Sequence, residues 1–228
     1  MASTEQIDRA TLVDEVLGRL RELLLSGEIK AGERLRMRDL QERFGVSHIP
    51  IREALRTLES EGLVDNQPQR GAVATDVSLG VLSELYDVRR LLEPPIARRA
   101  ATKFTDQDLA ELENALRRLE GSEHELESGD FYRAHRDFHR LVLRPGSTPM
   151  TERILVPLWG IAERFVRLTV TTYHTESKVA HTQHRSIFEA CAARDPAAGD
   201  RLLEHLHVTE DYVRAWAIEH QLVPTTDS

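Results

Sequence analysis

The chain has 228 residues, of which 40% are hydrophobic, 30% charged and 5% aromatic, and its net charge is −8. That length holds one large domain or two small ones with proper cores, and the acidic balance excludes a protein that coats nucleic acid indiscriminately. A single cysteine, Cys191, excludes an intramolecular disulfide; with a polar N-terminal stretch and no apolar run longer than that near residues 154–162, it points to a cytoplasmic protein without a membrane span.

The first predicted element is a helix over 11–25, where Leu12, Val13, Val16, Leu17, Leu20, Leu23 and Leu24 recur at helical spacing and Ser26-Gly27 ends the run. A loop through Lys30-Ala31-Gly32 leads to a short second helix near 37–44, broken by Gly45. Ser47 stands where its side chain can cap a third helix, and Pro50 is tolerated in the first turn because N–H groups there lack helical partners. This helix is expected to reach Ser60, with Val46, Ile51, Ala54, Leu55 and Leu58 facing inward. Strand-like runs at 63–66 and 72–75 flank the turn-rich Gln67-Pro68-Gln69-Arg70-Gly71. Three helices and a hairpin outline a winged helix-turn-helix, and strand signal appears nowhere else.

From residue 78 onward every span reads as helix: 80–101, 106–127, 130–143, 149–172, 176–193 and 196–220. Thr105-Asp106-Gln107-Asp108 has capping-box form, and Thr148-Pro149 reads as a cap followed by a first-position proline. Pro157 is expected to kink its helix unless neighbouring helices absorb the lost bond. The fold class is therefore mainly α: residues 1–76 form a winged helix-turn-helix reader, 77–82 a linker, and 83–228 an all-α bundle.

The reader carries a local excess of positive charge. Arg34, Arg36, Arg38, Arg43, Arg52 and Arg56 face only Asp39, Glu42 and Glu53 between positions 34 and 56. A helix entering a major groove presents its first turn to base edges and phosphates. Here that turn is Ser47, His48 and Ile49, with Arg52 one turn on. Arginine can hold guanine O6 and N7 together, a discrimination of about 1–3 kcal/mol. Arg70 and Gly71 at the wing tip suit a phosphate or the minor groove. A solvated surface helix is the plain alternative; the turn, cap and glycine-tipped wing favour operator DNA.

The motifs Leu35-Arg36-Met37-Arg38-Asp39-Leu40, Phe44-Gly45-Val46-Ser47, Pro50-Ile51-Arg52-Glu53-Ala54-Leu55, Leu58-Glu59-Ser60-Glu61-Gly62-Leu63-Val64 and Arg70-Gly71-Ala72-Val73 occur in order. Together they resemble the GntR-type winged helix-turn-helix. The resemblance implies operator contacts from Arg38, Ser47, His48, Arg52 and Gly71. His48 departs from the family, which usually carries arginine there, so base preference at that position is expected to differ.

Ten histidines are the second compositional feature. His135 and His139 lie four apart, so both rings leave one helix face and could share a metal; His184 and His205 come from two later helices. Four imidazoles converging inside a bundle would suit Zn(II) or Ni(II). Such a pair is otherwise an ordinary surface or core feature. His135-Arg136-Asp137-Phe138-His139 lacks the glutamate after the first histidine that a zincin helix needs, which weighs against a metal-dependent enzyme.

Residues 84–93 (Glu84-Leu85-Tyr86-Asp87-Val88-Arg89-Arg90-Leu91-Leu92-Glu93), Asp137-Phe138-His139 and His184-Arg185-Ser186-Ile187-Phe188-Glu189-Ala190 resemble the FCD effector domain of FadR-type GntR regulators. That resemblance implies an antiparallel helical bundle, a homodimer, and a pocket for a small carboxylate metabolite beside a divalent metal. It carries over His139 and His184 as ligands. His135 stands where the family usually has aspartate, and His205 competes with His207 for the last position. Arg89 matches the family's ligand-facing arginine, with a buried pair to Glu93 as the alternative. His124, His174, His181 and His220 are read as surface residues. The expectation is a ligand-responsive DNA-binding regulator, more a repressor than an activator. A metal-dependent enzyme and a DNA-binding dimer with an empty C-terminal domain are the rival readings.

Overall fold

The computed structural model of the chain describes residues 9–121, 129–169 and 177–219. Its first helix, α1 (Arg9–Leu25), packs along α3 (His48–Ser60), with α2 (Met37–Phe44) between them in sequence. Leu20, Leu24, Ile51 and Leu58 are wholly buried at this junction, each removing enough apolar surface from water to contribute about 1.5–3 kcal/mol. α2 ends at Gly45, whose φ of 67° is the left-handed geometry that glycine adopts without strain, and whose N–H donates back to the Gln41 carbonyl at 2.9 Å.

One expected contact is absent. Ser47 occupies the cap position of α3 with extended backbone, yet its side chain makes no capping hydrogen bond. Local sequence removes one of the two donors that a capping hydroxyl can use, the second or third helical N–H, because the third residue of α3 is Pro50. The hydroxyl is left exposed at the helix tip.

The wing is an antiparallel pair, β1 (Val64–Gln67) and β2 (Gly71–Ala74), in register Val64↔Ala74 through Gln67↔Gly71. Its turn has Pro68 followed by Gln69 at a φ of 67°, and Gly71 at 74°. The sheet extends further than the alternation pattern indicates. Arg34 forms an isolated bridge with Val73; the Leu35 N–H donates to the Ala72 carbonyl at 2.9 Å, and the Ala74 N–H to the Glu33 carbonyl at 2.9 Å. A one-residue bridge has no periodicity of its own, so nothing in the sequence pattern marks it.

The remainder is helical. α4 (Leu79–Ala101) lies along α9 (Ala198–Glu219), α5 (Asp106–Gly121) along α6 (Gly129–Leu143), and α8 (Ser177–Ala192) along α9, with α7 (Pro149–Thr169) bridging bundle and reader. Phe138, Leu112, Leu116, Leu119 and Ile187 are fully buried in the bundle core. The capping box at α5 is present: the Thr105 N–H donates to Asp108 at 3.0 Å and the Asp108 N–H to Thr105 Oγ1 at 3.1 Å. Thr148 caps α7 through the Thr151 N–H at 3.3 Å. α7 runs as one helix through Pro157, where the neighbouring reader backbone closes over it.

That closure depends on two glycines. A Cβ on Gly62 would collide with the Pro157 backbone, and one on Gly160 with the Glu61 carbonyl. One turn further along α7, the buried Arg164 guanidinium donates to the Thr75 carbonyl at 2.7 Å and the Ile29 carbonyl at 3.3 Å. Reader and bundle are thus joined backbone to backbone. No helix among the described residues is long and apolar enough to cross a membrane.

Candidate functional site

At the reader, Arg36, Arg38, Ser47, His48, Arg52, Arg70 and Gly71 are all exposed, and Ile49 is 38% exposed although apolar. Behind them Pro50, Ile51, Ala54 and Leu55 are buried, so α3 is held by one face while its first turn projects. Arg38 pairs with Glu42 at 3.0 Å across one turn, and Arg70 donates to the Gln67 side chain at 3.2 Å. Both bonds are exposed, so they tether little and leave the guanidinium groups available to phosphate.

In the bundle, α6 supplies His135 and His139, α8 supplies His184 and α9 supplies His205. One ligand-capable atom from each lies within 4.8 Å of the others. His139 and His184 approach Nε2 to Nε2 at 3.3 Å. A tetrahedral zinc site with Zn–N bonds of about 2.0–2.1 Å sets its nitrogens about 3.4 Å apart, so this pair already has that spacing. His205 Nδ1 faces Gln183 Oε1 at 3.2 Å. A carbonyl oxygen can only accept, which puts the proton on Nδ1 and leaves Nε2 with a free lone pair, as second-shell partners of metal ligands do. His139 Nδ1 is buried without a hydrogen bond among the described residues. The four side chains could coordinate a divalent ion.

The protonation states agree with that. Burial, then the Arg89 charge, pushes His135 down to about 4. Burial also holds His139 and His205 well below the ordinary imidazole range, with neighbouring histidines and Arg89 acting in the same direction. These rings are neutral at pH 7, as metal ligands must be.

A pH effect follows. Rings kept neutral in the folded state take up protons when the chain unfolds, so their contribution is complete above the model-compound value of 6.5 and falls as pH drops toward the folded values. Chelator-treated protein should therefore lose unfolding temperature between about pH 6.5 and about pH 5, a window in which most carboxylates stay ionised. Thermal scans across that window check it, and a flat response would count against the buried neutral cluster.

Of the two α9 histidines, His205 lies in the cluster and His207 on the exposed side. Asp137 is turned away, 3.8 Å from Arg118. His124, His174 and His220 lie outside the described residues, as does the side chain of His181.

Arg89 reaches the same cavity, but its guanidinium is engaged. Nε donates to Glu93 Oε1 at 2.6 Å and Nη2 to Oε2 at 3.4 Å, and Trp159 Nε1–H donates to the same carboxylate at 3.1 Å. The pair that was the alternative for Arg89 is therefore formed. Besides His135, His139 and His205, Tyr132, Arg136, Trp159, Glu163 and Thr209 line the cavity, and motif reading singled out none of these five. Its free space is about 30 Å³, room for roughly two waters.

Two family models match the chain: bacterial regulatory proteins of the gntR family over residues 12–73, and the FCD domain over residues 84–208. The Nta operon transcriptional regulator of Aminobacter aminovorans is 30% identical over 208 residues, spanning 84% of this chain and 96% of its own length. The HTH-type transcriptional repressor RspR of Escherichia coli K12 is 28% identical over 187 residues, 82% of each chain. Among solved structures, E. coli McbR/YncC superimposes with a TM-score of 0.74 at 23% identity, covering 90% of this chain and 98% of its own. A GntR transcriptional regulator from Rhodococcus sp. RHA1 gives 0.71 at 22% identity with the same coverage, and these two likenesses establish the fold. With a winged reader matching one family model and a helical bundle matching the other, this chain belongs to the GntR family of bacterial transcriptional regulators and carries an FCD ligand-binding domain.

Proposed function

We propose that the protein acts as a homodimeric repressor whose bundle holds a divalent metal, zinc or nickel, and through it a small carboxylate metabolite that alters operator affinity. The observation that carries this reading is the convergence of four imidazoles from three helices within 4.8 Å. Neutral nitrogen ligands favour zinc and nickel over magnesium or calcium, which prefer oxygen. The carboxylate is inferred from the cation beside the cluster that is least tied down, Arg136, since Arg89 is held by Glu93. The repressor sense is carried over from RspR, whose printed name states it. Residues 1–76 are assigned to operator reading, through Arg36, Arg38, Ser47, His48, Ile49, Arg52, Arg70 and Gly71, and residues 83–228 to sensing and dimerisation.

The experiment is selection of genomic fragments by the purified protein at moderate salt, followed by affinity measurement with zinc and with chelator. Enrichment of an inverted-repeat site whose affinity shifts with zinc supports the proposal. Absence of any enriched site would defeat the operator reading, and an operator affinity indifferent to zinc and to carboxylates would leave only a DNA-binding dimer. On the selected site, Arg52→Ala should weaken specific binding by about 1–3 kcal/mol, roughly 5- to 150-fold, with the fold intact because Arg52 is exposed. Titration of the duplex with both proteins checks it.

A further inference from the structure

Three side chains of the histidine cavity, Arg136, Trp159 and Glu163, also wall a second cavity of about 310 Å³ at the joint between reader and bundle, where they meet Arg21, Glu61 and Leu63 of the reader. Glu163 is the member with partners on both sides. It is buried, and its Oε2 accepts from Arg136 at 3.1 Å. Its Oε1 accepts from Arg167 Nε at 3.2 Å and Nη2 at 2.9 Å. The remaining amino group of Arg167, Nη1, donates to Glu22 of α1 at 3.0 Å. The same guanidinium stacks 4.3 Å from the ring centroid of Tyr132, a wall of the histidine cavity.

We infer that Glu163 couples the histidine pocket to the reader head as a positioning residue, and that Arg136 is the arm through which an anionic ligand reaches it. The inference rests on the effector-pocket reading proposed above. Arg89 is held by both oxygens of a buried carboxylate, whereas Arg136 is about a third exposed and makes a single bond to Glu163. The cavity is too small for a metabolite as it stands, so a ligand must displace a side chain, and Arg136 is the cation most easily drawn away. A carboxylate that takes Arg136 leaves Glu163 with Arg167 as its hydrogen-bonded cation among the described residues. Arg167 then has two bonds inward to Glu163, screened from water, and one weaker bond outward to Glu22, which is half exposed. Any movement of Arg167 toward the pocket is made at the expense of α1. Because α1 packs on α3, the reading helix feels the change.

The test uses the full-length protein, zinc, and excess acetate as the smallest carboxylate. Zinc affinity is read by competition with a chromogenic chelator, and amide hydrogen exchange is followed in residues 9–25 with and without zinc and acetate. In the wild type, exchange in that segment is expected to rise at least about fivefold, the lower end of ordinary allosteric coupling. Glu163→Gln, read at saturating zinc, should leave exchange in residues 9–25 indifferent to zinc and acetate. Glu22→Gln, which lies on the reader and outside the lining of the histidine cavity, should bind zinc normally and show raised exchange before anything is added. Zinc binding without a change in this segment of the wild type, or an unaltered response in the folded Glu163→Gln or Glu22→Gln protein, overturns the coupling and leaves the effector pocket standing. A wild-type protein that binds no zinc overturns the metal reading itself, and the coupling with it.

Discussion

Replacing His139 with alanine should lower zinc affinity at least about 100-fold, more than is usual for losing a partner that merely orients a ligand. His139 is close to all three other rings: its ring centroid is 4.6 Å from that of His135, 5.3 Å from His184 and 5.0 Å from His205. Competition against a chromogenic chelator measures the loss. Zinc should also raise the unfolding temperature of the wild type by mass action on the folded state, and this increment should vanish in His139→Ala. His207→Ala is the control, since His207 is exposed on the same helix and should bind zinc like the wild type. Equal affinity in all three proteins would remove the four-histidine site.

The second large effect concerns stability. Glu93→Ala should destabilise the protein by about 3–5 kcal/mol, because it strands the Arg89 charge in the interior. The pair is nearly sealed, with the arginine side chain 6% exposed and the glutamate 0%. Trp159 loses its acceptor in the same substitution. For a chain of this size the unfolding temperature should fall on the order of 10 °C. Replacing both partners together, as Arg89→Met with Glu93→Leu, should recover much of the loss, because no unpaired charge remains. Thermal unfolding of the single and double variants checks the prediction. A Glu93→Ala protein as stable as the wild type would show that Arg89 already finds another anion or water.

The reader was legible because its determinants are local. Gly45 ends α2 through its own backbone preference, the inward face of α3 repeats at 3.6 residues, and the wing is two short runs either side of a proline-containing turn. The missing Ser47 cap has a local element too, since Pro50 three residues on removes one of its two donors. The histidine cluster was legible only in part. His135 and His139 share a helix, so spacing alone relates them. The choice between His205 and His207 depends on how α9 rotates against α8 after the turn at Asp195 to Ala197, and packing sets that rotation. The role of Arg89 was similarly undecidable, because the motif match gave it a ligand, the i, i+4 spacing gave it Glu93, and neither pattern excludes the other. The chain Arg136, Glu163, Arg167, Glu22 left no trace in any motif. Arg167 and Glu22 are 145 positions apart, and neither carries a pattern that names the other.

The glycines at 62 and 160 bear on how such regulators are recombined. Winged readers and effector bundles look interchangeable, as if any head could be set on any sensor to make a new response. Here the joint is a close fit of bare backbone, with Gly62 under Pro157 and Gly160 under Glu61. A head borrowed from a relative with a side chain at the first position, or a bundle with one at the second, would not seat against α7. Chimeric sensors built on this scaffold should therefore carry the two glycines, with Pro157 and Arg164, as one inherited unit.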